Sequence, residues 1–328
     1  MKISVLKFFL LIFGIFSLFP FVIYAQVQST DVTLSISPKY PTAGQKVTAR
    51  ISSYVTDLNK ANMFWSINGE TIESGVGKKV FSFTLGGLGS TNLLSVDINT
   101  IDRQNFSKSI TLNASEIDML WEATDSYVPP FYKGKALVSR EGTYKVVAIP
   151  NISSGAGILN PANLSFTWEK DGNGQPNSSG WGKTSFVYKN SYLDLENEIL
   201  VKVSDIFGSI NTGSKISLRP TTPQIKFYKG DFLLGIDLDN SLNSGHLLDK
   251  EGEVIVAVPY FFTPKDINSP DLVFNWEING KPASSLGGKN ELKVKGGAGI
   301  SGNAKLWVEI NNTKTLFQSL KKELSVIF

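Results

Sequence analysis

Apolar and polar residues alternate over short stretches along nearly the whole chain. The first series runs through Val32/Leu34/Ile36, Val47/Ala49/Ile51, the stretch around Trp65, Phe81/Phe83/Leu85, Leu94/Val96/Ile98 and Ile110/Leu112. A second covers Tyr144 to Ile149, the Trp168 stretch, Phe186/Tyr188, Ile199/Val201/Val203 and Ile216/Leu218. A third covers Val254/Val256/Val258, the Trp276 stretch, Leu292/Val294, Leu306/Val308/Ile310 and Leu324/Val326/Phe328. A period of two turns one face of a strand inward and the other to water, the pattern of an antiparallel sheet. Six or seven such strands in each ~100 residues, parted by Gly, Asn, Asp and Pro turns, predict β-sandwiches. Beyond the N-terminal segment, no window of about 12 residues carries a helical period. The expected fold class is all-β.

The three series share a motif. The chain reads Phe64-Trp65-Ser66-Ile67-Asn68-Gly69, then Thr167-Trp168-Glu169-Lys170-Asp171-Gly172, then Asn275-Trp276-Glu277-Ile278-Asn279-Gly280. A Gly/Lys turn follows each: Gly77-Lys78, Gly182-Lys183 and Gly287-Gly288-Lys289. The tryptophans stand roughly 105 residues apart, which is the length of one whole domain rather than a solenoid repeat. Val147-Ala148-Ile149-Pro150 also recurs as Val256-Ala257-Val258-Pro259, and Phe131-Tyr132-Lys133-Gly134 as Phe227-Tyr228-Lys229-Gly230. The last match is out of step, which predicts an insertion in the third series between Asp237 and Gly252. Trp65, Trp168 and Trp276 are expected in the core, on the third strand of each sandwich, where burial of an indole contributes about 2–3 kcal/mol. The Asn-Gly or Asp-Gly pair after each supplies positive φ for a tight hairpin.

This aromatic-x-Trp-x-x-Asn-Gly run with its Gly/Lys turn resembles the tandem Ig-like or PKD-like modules of bacterial exported and surface proteins. The likeness covers all three series, but the acidic Gly-Asp-Gly of PKD modules is missing. It implies three tandem immunoglobulin-like antiparallel sandwich domains; the strand series set their limits at 26–114, 115–220 and 221–328, after an N-terminal signal helix. The second linker, Arg219-Pro220-Thr221-Thr222-Pro223, is short and proline-stiffened, which predicts a semi-rigid rod.

Residues 1–25 read differently. Lys2 and Lys7 precede an apolar run from Phe8 to Tyr24, closed by Ala25 and a polar stretch. A basic start, an apolar core and a small boundary residue mark a secretory signal cleaved after Ala25. Ile23 fits the small-x-small rule poorly, and about 17–18 apolar residues approach the length that spans a bilayer, so a retained signal anchor is the alternative. Either way the rest of the chain is exported, to the periplasm, the cell surface or beyond. Membrane contact is expected only through this segment, and only if it is kept.

Charge and cysteine narrow the classes further. Lys2 and Lys7 leave with the signal while no acid does, so the formal +3 falls to +1. That is no footprint for nucleic acid. With no cysteine, disulfide staples, thiolate metal sites, cysteine nucleophiles and a lipobox anchor are all ruled out, which points towards a bacterial source.

Catalysis has little to work with. His246 is the only histidine, and it lies in a Gly/Asn-rich stretch, so no two-histidine mechanism or His-rich metal site can form. The chain is expected not to be an enzyme and to need no cofactor. Calcium is the minority alternative: Asp171, Asp237 and Asp239 sit in oxygen-rich stretches, but neither stretch makes a full EF-hand loop. The aromatic residues outside the alternating series are the binding candidates, namely Trp181 in a Gly-rich turn, Phe131 and Tyr132 after Pro129-Pro130, and Trp121 and Tyr127 nearby. Such rings stack on sugars or anchor a protein partner, or else pack a domain junction. The expected role is a rod serving structure, adhesion or assembly at the cell envelope. The alternatives are a carbohydrate-binding adhesin, or an accessory subunit of a secretion/pilus apparatus or extracellular hydrolase. The expected partner is a cell-envelope protein or a glycan.

Overall fold

The structure is a computed structural model that describes residues 32–154, 157–208, 210–231, 233–284, 289–297, 299 and 301–328. The expected signal helix and the Gly287-Gly288 pair lie outside the described residues. No α-helix occurs among those described, so none is long and apolar enough to cross a membrane.

The chain falls into two compact units. One holds Met1–Pro41, Gln45–Leu85 and Thr91–Leu112, and the other Thr42–Gly44, Gly86–Ser90 and Asn113–Phe328. The first unit is one sandwich. Its strands are β1 (Val32–Ser37), β2 (Lys46–Ser53), β3 (Asn62–Ile67), β4 (Glu70–Val76), β5 (Val80–Thr84), β6 (Thr91–Asn99) and β7 (Asn105–Asn113). They form a three-stranded sheet in the order β1-β2-β5 and a four-stranded one in the order β4-β3-β6-β7. Trp65, Phe81, Val96 and Ile98 are among the residues that close its core.

The second unit contains two sandwiches. The earlier is built from β8 (Glu116–Ala123), β9 (Thr143–Asn151), β10 (Ser153–Ser154), β11 (Gly157–Ile158), β12 (Ser165–Lys170), β13 (Asn173–Gly174), β14 (Gly180–Trp181), β15 (Ser185–Lys189), β16 (Asn197–Ser204) and β17 (Asn211–Leu218). One sheet runs β15-β9-β8 and the other β13-β12-β16-β17, with β14 also on β12. The later sandwich is built from β18 (Gln224–Asp231), β19 (Gly235–Leu242), β20 (His246–Leu247), β21 (Glu253–Tyr260), β22 (Leu272–Ile278), β23 (Lys281–Ala283), β24 (Glu291–Val294), β25 (Asn303–Asn312) and β26 (Ser319–Ile327). Its sheets run β19-β18-β21-β24 and β20-β26-β25-β22-β23. Each has its own apolar core, around Trp168 and around Trp276.

The repeated motif has one structural meaning in all three sandwiches. Trp65, Trp168 and Trp276 are buried on β3, β12 and β22. Burying an indole leaves its N–H in need of an acceptor, and the Gly/Lys turn provides one. Nε1 donates to the main-chain oxygen of Lys78 at 2.8 Å, of Lys183 at 2.9 Å and of Lys289 at 3.1 Å. Gly77 is required where it stands, since its φ is +69° and a Cβ there would lie 2.8 Å from the Asn59 carbonyl. Trp65 stacks on Phe81 (5.5 Å) in the first sandwich, and Trp168 lies tilted against Phe186 (5.8 Å) in the second. In the third, Phe227 of β18 approaches instead, at 6.2 Å.

The hairpin after each tryptophan is equally uniform. Asn68-Gly69, Asp171-Gly172 and Asn279-Gly280 all have positive φ at both positions, the mark of a two-residue I′ turn. The first residue of each pair also stitches the turn to the strand on the other side of the tryptophan strand, namely β6, β16 or β25. Asn68 exchanges bonds with Leu93, Asp171 with Glu198 and Asn279 with Lys305: in each pair the side-chain oxygen accepts from the partner's N–H at 2.8 Å, and its own N–H donates back at 2.9 Å.

Two details differ from the sequence reading. Phe131-Tyr132-Lys133-Gly134 forms a loop, whereas Phe227-Tyr228-Lys229-Gly230 lies within β18, so that match has no structural counterpart. The true equivalent of β18 is β8, because each pairs with the strand carrying the Val-Ala repeat: Met119 faces Ala148 and Phe227 faces Ala257. With that equivalence the predicted insertion disappears, because Met119 and Ala148 are 148 − 119 = 29 residues apart and Phe227 and Ala257 257 − 227 = 30. A connection of like length is a loop in the earlier sandwich and carries the edge strand β19 and the short parallel β20 in the later one.

Candidate functional site

Within the second unit the two sandwiches are joined by a buried polar knot. Gln318, fully buried between β25 and β26, donates from Nε2 to Ser139 Oγ and to the Arg140 carbonyl, both at 2.8 Å. Its Oε1 accepts from the Thr263 N–H (2.8 Å), the Thr263 hydroxyl (3.1 Å) and Asn312 Nδ2 (3.2 Å). A buried amide is tolerated only when its donors and acceptors are matched, and here both ends are. Tyr192 stacks on Phe317 at 5.4 Å, and Tyr127 exchanges main-chain bonds with Phe262 (2.7 Å) and Phe261 (2.8 Å). The linker takes part, since the Thr221 N–H donates to the Val138 carbonyl at 2.8 Å.

Beside this junction lies a groove of about 930 Å³. The loop from Pro129 to Gly134 forms one wall, β19 from Gly235 to Asp239 the other, and Tyr260 also lines it. It unites four residues singled out separately in the sequence: Phe131, Tyr132, Asp237 and Asp239. Tyr132 is held by edge contacts with Tyr260 (5.6 Å) and Phe261 (6.3 Å), so it packs the junction as well as facing the groove. Gly134 makes room for it, because a Cβ there would fall 2.6 Å from the Tyr132 ring. The Tyr260 hydroxyl shares a 2.7 Å hydrogen bond with that of Tyr228. Burial, followed by that bond, pushes the Tyr260 phenol above its usual range, so it stays protonated.

Phe131 is different. The Tyr132 N–H donates to the Pro129 carbonyl at 3.3 Å, which makes a turn with Pro130 and Phe131 at its centre. Proline followed by a residue of positive φ is the signature of a type II turn, where glycine is the usual choice. Phe131 has φ +61° and is 96 % exposed. A side chain in that region costs about 1–2 kcal/mol, and among the described residues no ring contact offsets it.

The acids have distinct surroundings. Asp237 accepts from Asn240 Nδ2 (3.1 Å) and from the Asp239 N–H (3.2 Å). Neither the Asp239 carboxylate nor the Lys133 ammonium meets a partner among the described residues, and both line the groove. Asp171 lies elsewhere, with one oxygen on the Glu198 N–H and the other on the Lys170 ammonium at 2.8 Å. Among the described residues no three His, Asp or Glu side chains come together to hold a metal ion.

Trp181 is 54 % exposed on β14 and lines a second, smaller hollow of about 630 Å³ with Leu159, Ile206 and Phe207. Trp121 is not a surface ring: it lies on β8 against Tyr144 at 5.6 Å, with the Lys135 ammonium 3.5 Å above its face. His246 contacts the buried Glu253 carboxylate through Nε2, and among the described residues no serine is bonded to either side chain.

No family model and no curated protein matches this sequence. Among solved structures, the chain is similar to the fibronectin(III)-like modules of Clostridium thermocellum CbhA, at 11% identity over 58% of this chain and 94% of that one, with a TM-score of 0.26. It is also similar to immunoglobulin domains 1-5 of Sidekick-1, at 11% identity over 89% of this chain and 58% of that one, TM-score 0.31. A third is the central fibronectin-III array of RIM-binding protein, at 9% identity over 89% and 95%, TM-score 0.30. The assignment of three Ig-like sandwiches rests on the sheets and cores described above.

Of the groove, sequence reasoning missed Tyr260 and Lys133. Tyr260 carried a signal, since Tyr260-Phe261-Phe262 is an aromatic run directly after Pro259. Gln318 carried none.

Proposed function

We propose that the chain is a non-enzymatic exported protein of the cell envelope, whose tandem Ig-like domains (26–114, 115–220 and 221–328) serve structure, adhesion or assembly. The observation that carries this reading is the Gln318 knot. A matched buried amide holds two sandwiches in one relationship, as a module that spaces or presents a binding surface needs. Catalysis would need converging acid, base and nucleophile, and the one histidine is engaged with Glu253. A bacterial source, export and no tightly held cofactor belong to the same proposal.

Cell fractionation with N-terminal sequencing tests it. The expected product starts at Gln26 and is found outside the cytoplasm, or starts at Met1 and is held at the membrane. Intact chain in the cytoplasm would overturn the proposal. A second reading, a carbohydrate-binding adhesin, is favoured by the exposed ring of Phe131.

A further inference from the structure

We propose that the groove between the Pro129–Gly134 loop and β19 binds an uncharged oligosaccharide, with Phe131 and Tyr132 stacking on sugar rings and Asp239 and Lys133 holding hydroxyl groups. This rests on the adhesive form of the function proposed above and names the site and the ligand class.

Phe131 carries the argument. It stands in the one backbone conformation of its turn that glycine would adopt without strain, and its ring lies almost wholly in solvent. Neither local geometry nor packing accounts for a phenylalanine there. Contact with something outside the chain does, and exposed strain of this kind gathers at binding sites. Beside it, Tyr132 is already fixed by Tyr260, Phe261 and the space above Gly134. A ring immobilised in advance loses little entropy when a ligand arrives.

The polar groups select the ligand. A purely apolar occupant would bury the Asp239 carboxylate and the Lys133 ammonium without partners, which is strongly unfavourable. An anionic ligand would face Asp237 and Asp239 together. A proline-rich peptide could lie on the rings, but its side chains offer no donor to a carboxylate. A sugar ring meets both demands at once: its C–H face lies on an aromatic ring and its hydroxyls both donate and accept. The volume of about 930 Å³ falls within the range of small-molecule sites.

The test uses the full chain after export, titrated calorimetrically with hexasaccharides of glucose, mannose, galactose, xylose and N-acetylglucosamine, and with a proline decapeptide. At least one hexasaccharide is expected to bind. Phe131→Gly should weaken it by roughly fivefold or more while leaving the melting temperature unchanged or higher, and Asp239→Asn should weaken it too. Trp181→Ala should change nothing. Binding lost with Trp181→Ala but kept in Phe131→Gly would overturn the site. So would binding of the decapeptide alone. If no hexasaccharide binds while the chain still adheres to cells, the groove proposal fails and the adhesive reading stands. If the chain neither binds sugar nor adheres, both fail.

Discussion

The indole nitrogen of Trp168 donates a 2.9 Å hydrogen bond to the main-chain oxygen of Lys183. The same bond runs from Trp65 to Lys78 and from Trp276 to Lys289. Trp168→Phe keeps most of the apolar burial but orphans the Lys183 carbonyl, so the second sandwich should lose about 1–2 kcal/mol. Trp168→Ala should cost about 3–5 kcal/mol. Urea unfolding checks this, provided the transition of the altered sandwich is resolved from the others. Equal stability of wild type and Trp168→Phe would show that the bond contributes nothing.

Asp171 does the work that asparagine does in the other two hairpins. Asp171→Asn should therefore leave the melting temperature within about 1 °C, whereas Asp171→Ala should lower it by about 2–6 °C. Millimolar Ca²⁺ or a chelator is expected to move neither value, because the Asp171 oxygens are already engaged. A calcium-dependent rise in thermal scans that Asp171→Asn abolishes would count against this reading.

Gln318 satisfies the Thr263 N–H on one side and Ser139 and Arg140 on the other. Gln318→Leu preserves bulk but strands several buried polar groups, at a cost of about 2–4 kcal/mol. The loss should also uncouple the second and third sandwiches. Hydrogen exchange would register this as faster exchange at Thr263 and Thr221 than in the core strands; unchanged protection there would refute it.

Tyr144 and Tyr188 stack at 5.3 Å inside the second sandwich, and neither hydroxyl has a hydrogen-bond partner among the described residues. Burial pushes the Tyr144 phenol up to about 12 from 10.0. The folded chain thus keeps a proton that the unfolded chain releases near pH 10. The corresponding stability is intact below pH 10 and is lost as the pH rises through about 12. Tyr144→Phe should be neutral or stabilising by up to about 1 kcal/mol at pH 7, and its alkaline loss should be smaller than that of wild type. A melting curve at pH 7 and another near pH 11 decide the point.

Much of the fold could be read in advance because it rests on short-range chemistry. Period-two alternation, the Asn-Gly or Asp-Gly turns and the repeated indole all lie within a few residues of one another. β8 was harder. Ile117, Met119, Trp121 and Ala123 take every second position, but Leu120 interrupts the acids Glu116, Asp118 and Glu122 between them, and the coincidental Phe-Tyr-Lys-Gly match drew the register to the wrong place. The groove joins Phe131 to Asp239 across two sandwiches, and nothing local to either residue marks the other. Gln318 is a polar residue in a short loop between β25 and β26, so only the packing of two sandwiches together reveals that it is buried.

The matched amide also decides where the molecule can be cut. A fragment ending at Pro220 would leave Ser139 facing water with an empty donor position beside it and the Phe317 ring gone from Tyr192. One beginning at Thr221 would carry Gln318 with half its contacts missing. For dissection, transplantation or display, the smallest natural piece is the pair from Asn113 onward.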